Sequence, residues 1–220
     1  MFKGNNTAYG LDHGLNSYYN TFGGSTAYFN IEGNIMSLIN GDSFTKAKTL
    51  ENTYTFFRIF YKAKVRNAEN LILPATVLID YCYNSMFEDC TILKTPPKLP
   101  ATKLATMCYA SMFSGCTNLT KAPKLPATTL ANNCYYDMFY GCGSLITAPE
   151  LPATKLAERC YVGMFQGCGS LTTAPALPAT TLKDGCYSSM FYHCISLRTA
   201  PQLPATTLAE SCYRSMFIGC

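Results

Sequence analysis

One 26-residue block, returning six times, constrains this chain more than any other feature. Leu-Pro-Ala-Thr begins at Leu73, Leu99, Leu125, Leu151, Leu177 and Leu203. Cys-Tyr-x-x-Met-Phe-x-x-Cys follows each time, from Cys82, Cys108, Cys134, Cys160, Cys186 and Cys212. A fixed period of this length predicts stacked supersecondary units, each burying its apolar side against its neighbours. Hydrophobic residues make up 48% of the chain, enough for such a core. Charged residues are only 14%, against roughly 25% in ordinary soluble domains, so Thr, Ser, Asn and Tyr must supply the polar surface. The 16 Tyr, with no Trp, suit a hydroxyl-rich exterior. A net charge of +4 is too small to argue for nucleic acid. No stretch reaches the ~18–20 apolar residues of a membrane span, so no membrane insertion is expected. The first residues lack the apolar run of a secretory leader. The last repeat stops short at Cys220, which reads as a fragment of a longer exported chain.

Three segments follow. Residues 1–45 are a non-repetitive, β-type N-terminal segment, rich in Gly, Asn, Ser and Tyr. The runs 26–31 and 34–39 predict a short strand pair turning near Glu32-Gly33, and Gly4 to Gly24 reads as loop. Residues 46–72 are a degenerate capping repeat, in which Phe56, Ile59, Phe60 and Ala63 are expected in the places of Cys82, Met86, Phe87 and Cys90. Arg58, Lys62, Lys64 and Arg66 interleave there, as solvating charge on an exposed cap. Residues 73–220 are the array. Within a unit, the stretch from Leu145 to Leu151 predicts a short strand limited by Pro149. Leu156, Cys160 and Met164, at i, i+4 and i+8, predict one or two helical turns, with Thr154 as N-cap and Gly167 as stop; a run of tight turns fits nearly as well. The fold class is thus a repeat solenoid with short parallel β-strands and irregular or short helical returns.

These residues resemble the BspA-type, or Treponema-type, leucine-rich repeat of bacterial surface proteins. That unit reads roughly Cys-x-x-Leu-x-x-Ile-x-Leu-Pro, a spacer, then Ile-Gly-x-x-Ala-Phe-x-x-Cys. Cys116, Leu119, Ala122, Leu125 and Pro126 match the first half with one inserted residue. Cys134-Tyr135, Met138-Phe139 and Cys142 match the second, Met in the Ala place and Cys in the Ile place. The 26-residue variant is similar to proteins of gut Bacteroidales, and the runs 31–39 and 70–74 resemble segments that precede such arrays. The resemblance implies a right-handed leucine-rich-repeat solenoid, display at the cell surface and adhesion.

The twelve Cys come as two per repeat in C-x7-C spacing, which does not match the paired spacing of a zinc site. Free buried thiols and intra-repeat disulfides such as Cys134–Cys142 both remain open. Alignment of Cys with Ile in the resembling family favours thiols. The Met-Phe pairs are core, and Phe87, Phe113, Phe139, Phe165, Phe191 and Phe217 are expected to stack. Tyr83, Tyr109, Tyr135, Tyr161, Tyr187 and Tyr213 are expected to pack one ring face with the hydroxyl reaching water or backbone. Catalysis has little support. The two His, His13 and His193, have no catalytic partner in the sequence, Glu150, Glu158 and Asp184 fall at different repeat positions, and no Gly-rich phosphate loop or cofactor motif occurs.

The outward strand positions drift instead. They read Lys94, Thr95, Lys98; Thr120, Lys121, Lys124; Ile146, Thr147, Glu150; Thr172, Thr173, Ala176; and Arg198, Thr199, Gln202. Early repeats are basic and later ones neutral. A broad, shallow face of this kind suits a protein or a glycan. The expectation is a non-enzymatic binding or adhesion module, with Lys94, Lys98, Lys121 and Lys124 as ligand-binding residues. The partner would be a host matrix protein, a glycan or another cell-surface partner. The alternative is a structural spacer, or a targeting module, of a larger surface or phage protein.

Overall fold

A computed structural model describes residues 10–11 and 18–19 as backbone, and residues 21–24 and 26–220 in full. His13 lies outside these residues. From 46 onward the chain winds as coils stacked at the sequence period. Backbone N–H groups alternate between two acceptors. Tyr109 donates to Cys134 O of the next coil (3.1 Å), Ala110 back to Met107 O (3.2 Å), Ser111 to Tyr136 O of the next coil (2.8 Å), and Met112 back to Tyr109 O (3.2 Å). Half the amides thus close turns and half join coils, which satisfies a backbone that is largely buried.

The alternation depends on a left-handed residue at every fourth position. In one coil these are Met107 (φ 52°), Ser111 (φ 53°) and Gly115 (φ 72°); in the next, Asn133, Asp137 and Gly141. Such backbone is cheap for Gly and tolerated by Asn, Asp and Ser, all poor residues inside a helix. The expected helical turns after Thr154 are therefore absent, and the return is the run of tight turns. A corner every four residues faces Leu156, Cys160 and Met164 inward at the same i, i+4, i+8 spacing that a helix would use. Gly167 (φ 73°) is a coil corner rather than a helix stop.

The strands are also shorter than expected. The stretch from Leu145 to Leu151 keeps only a parallel bridge at Thr147, within the run Lys121–Thr147–Thr173–Thr199. Pro149 and Pro152, both after the bridge, remove donors that would lengthen it. A second bridge set lies beyond a bend at the Leu-Pro-Ala-Thr threonine: Val77–Lys103, Thr129–Lys155 and Thr181–Thr207.

Inside the coils, identical side chains stack. Phe87, Phe113, Phe139, Phe165, Phe191 and Phe217 form one column with ring centroids 5.6 to 5.7 Å apart. Phe60 and Phe22 extend it into the cap at 5.2 and 5.7 Å. The tyrosines form a second column at 5.7 to 6.0 Å. Tyr83 through Tyr187 are buried, and the hydroxyls of Tyr83 and Tyr109 meet no protein partner. That departs from the expected wet hydroxyl: the ring must stack on the coil below, and the stack carries its hydroxyl inside.

All twelve cysteines are free, and the expected alternative, a Cys134–Cys142 disulfide, does not form. The second thiol of each repeat donates to a Phe carbonyl of the preceding coil: Cys90 to Phe60 O, 30 residues earlier, at 2.9 Å, and Cys116 to Phe87 O, Cys142 to Phe113 O and Cys168 to Phe139 O, 29 residues earlier, each at 3.1 Å.

The cap corrects three expectations. Phe56 stacks on Tyr83 at 5.7 Å, so it belongs to the tyrosine column, and Thr55 takes the first cysteine's place. The runs 26–31 and 34–39 do not pair with each other. Strands β3 (Phe29–Asn30) and β4 (Gly33–Asn34) each pair in parallel with a later strand, β5 (Val65–Asn67) and β6 (Leu71–Ile72). The chain then turns into a short helix, α1 (Ser37–Asn40), after a turn in which Asn34 Oδ1 accepts the Met36 N–H at 3.0 Å. Ahead of these, β1 (Gly10–Leu11) and β2 (Tyr18–Tyr19) pair antiparallel within the segment expected to be loop.

Candidate binding face

The bridge run at Thr147 fixes where the drifting positions point. Around it Leu93, Pro97 and Leu99 turn in, while Lys94 and Lys98 turn out. The next coil repeats this, with Leu119, Pro123 and Leu125 in and Thr120, Lys121 and Lys124 out. All four candidate lysines are exposed, and none makes an ion pair among the described residues. Later coils place Ile146, Thr147, Glu150, Thr172, Thr173, Ala176, Arg198, Thr199 and Gln202 on the same face.

The structure adds two residues that were read as cap solvation. Lys94 N–H donates to Arg66 O at 2.9 Å, so Arg66 lies one coil below Lys94. Lys64 stands two residues earlier, just ahead of β5. Arg66 is exposed, with its guanidinium 4.6 Å from the centroid of the Tyr28 ring. A 28-residue step between Arg66 and Lys94, in place of 26, hid this alignment in the sequence. The other cap cations differ. Arg58 pairs with Glu88 at 3.3 Å and lies over Tyr61, and Lys62 also lies over Tyr61.

The remaining chemistry is sealed in. Burial pushes the thiols of Cys90, Cys108, Cys160 and Cys194 up to about 12. A thiol that holds its proton so firmly is a poor nucleophile. His193 is exposed beside Cys194, but its ring packs against Tyr192 at 4.4 Å. A cleft of about 600 Å³ opens in the cap among Phe29, Ile31, Leu38, Phe44, Phe60 and Leu71. Asn34, which could give it polar specificity, is spent on Met36 N and Phe44 O. Among the described residues no group of three or more His, Cys, Asp or Glu is placed to hold a metal ion. None of their helices is long and apolar enough to cross a membrane.

No family model, no curated protein and no solved structure matches the chain.

Proposed function

We propose that the chain is a leucine-rich-repeat solenoid of the BspA-like kind, displayed at the cell surface, that binds a partner without catalysis through its outward bridge face. The observation that carries this reading is the contrast between inside and outside. The coils from Cys82 to Cys194 keep the same buried Cys, Tyr, Met and Phe, while the outward positions vary and place Lys94, Lys98, Lys121 and Lys124, exposed and unpaired among the described residues, on adjacent coils. An unpaired exposed charge contributes little to folding and is available for a partner's opposite charge, where it steers encounter and orientation.

The test is binding of the whole chain to immobilised matrix proteins and mucin glycans, beside a Lys→Ala variant at 94, 98, 121 and 124. Saturable binding that weakens at least about tenfold in the folded variant supports the face, since each lysine is expected to contribute up to about 1 kcal/mol. Binding that survives the change moves the site off this face. A folded chain that binds nothing on the panel favours a spacer.

A further inference from the structure

We propose, resting on the binding-face reading, that the ligand is a linear sulfated polysaccharide lying along the stacking direction, and that Arg66 and Lys64 of the cap complete its site. Arg66, Lys94 and Lys121 place a cation on each of three consecutive coils. Hydrogen-bonded coils of this kind lie about 4.8 Å apart. Lys121 stands one residue past the register of Lys94; Lys98 and Lys124 form a second row, four residues beyond Lys94 and three beyond Lys121, and Lys64 flanks the first. Exposed Thr120 takes the place of Lys94 one coil on, beside Lys121.

Carboxylates mark the ends of this patch without neutralising it. Glu150 follows Lys124 in its row, and Glu69 lies on the cap between Arg66 and Leu71; neither is ion-paired to these cations among the described residues. The six side chains project from parallel coils and do not converge on a point. They suit a polymer that repeats its anions, where each contact adds to the last, better than a single small anion. The close spacing calls for more than one charge per sugar, which sulfation provides and an occasional uronic acid does not.

Competing polyanions fit less well. Single-stranded nucleic acid needs a ring on which each base can stack. The exposed ring beside the row, Tyr28, is already faced by Arg66. Duplex DNA needs a helix or ribbon to enter a groove, and this face has single-residue bridges. A folded acidic protein needs an apolar centre to its interface, and the patch offers Lys, Thr and Pro.

The experiment is surface plasmon resonance of the whole chain over immobilised heparin, chemically desulfated heparin and poly(dT), at several salt concentrations. Saturable binding to heparin is expected, with binding to desulfated heparin at least about tenfold weaker because most counterion release is lost. The double variant Lys64→Gln/Arg66→Gln should retain its melting temperature to within a few degrees. It should weaken heparin binding about tenfold and lower the slope of log Kd against log salt by roughly 1.5 to 2. Lys94→Gln/Lys121→Gln should do the same without touching the cap. Lys103→Gln/Lys155→Gln, beyond the bend, should change neither quantity. The proposal is overturned by no binding to heparin, by equal binding to desulfated heparin or poly(dT), or by equal losses in the control pair. If heparin is ignored while matrix or mucin binding still depends on Lys94, Lys98, Lys121 and Lys124, only the ligand class is wrong and the face stands.

Discussion

Single corners of the coil show how closely one repeat constrains the next. Four times a long or charged side chain at a left-handed corner is followed, one coil on, by glycine: Asp89 by Gly115, Asp137 by Gly163, Arg159 by Gly185 and His193 by Gly219. In the second pair Asp137 Oδ1 fills the place where a Gly163 Cβ would project. Gly163→Ala therefore meets both a left-handed backbone and a collision, whereas Gly141→Ala meets only the backbone. Urea melts should show Gly141→Ala costing about 1 kcal/mol and Gly163→Ala clearly more. Adding Asp137→Ser should recover most of the difference, because Ser already occupies this corner in other coils. Burial also pushes the Asp137 carboxyl up from 3.8 to about 6. Between these values the folded chain keeps a proton that the unfolded chain has released. Stability contributed by this group is then full below pH 3.8 and falls as pH rises to about 6. Melts across that window should show the decline in the wild type and a flatter profile in Asp137→Ser. None of this was legible beforehand, since the sequence shows the glycines but not which neighbour leans over them.

At the scale of the coil, packing is almost entirely between equivalent residues. Phe139 is stacked at 5.7 Å on both faces, by Phe113 and Phe165, while Phe217 has a stacked partner only in Phe191. Phe139→Ala should cost about 3–5 kcal/mol, and Phe217→Ala markedly less, by denaturant melts. Thiol labelling should separate the cysteines in the same way. Cys220 is exposed and should react in the native chain, while the buried thiols, such as Cys142 and Cys168, should react only on unfolding. The columns of Phe and Cys were legible because a period of 26 requires like to lie on like. The coil's geometry was not. A corner every four residues and a helix turn of 3.6 give nearly the same inward spacing for Leu156, Cys160 and Met164. The Ser, Asp, Asn and Gly at the corners carry the distinction. The tyrosines misled in another way, because a hydroxyl reads as surface, yet a ring repeated in every coil must stack. Asp80, Asn132 and Asp184 show a finer pattern, accepting the N–H of Thr106, Glu158 and Glu210 at 2.8, 3.2 and 3.1 Å in alternate coils. These bonds fall on the same coil pairs as the second bridge set.

Across the whole molecule, the outward face was legible as far as the strict repeat extended. Lys94, Lys98, Lys121 and Lys124 stand where the period places them. Arg66 and Lys64 were missed as members of the face because the cap departs from the period by two residues. A charged face matters only if position, and not net charge, governs binding. The decisive comparison is a matched pair of charge reversals in the full chain: Lys94→Glu/Lys121→Glu on the proposed face, and Lys103→Glu/Lys155→Glu on the exposed positions beyond the bend. Both remove the same charge. Binding to the immobilised partner should be lost in the first variant, by about a hundredfold or more, and be kept within about threefold in the second, since local like-charge contact outweighs screened distant charge. Equal losses in the two variants, or no loss in the first, would contradict a binding face at these coils.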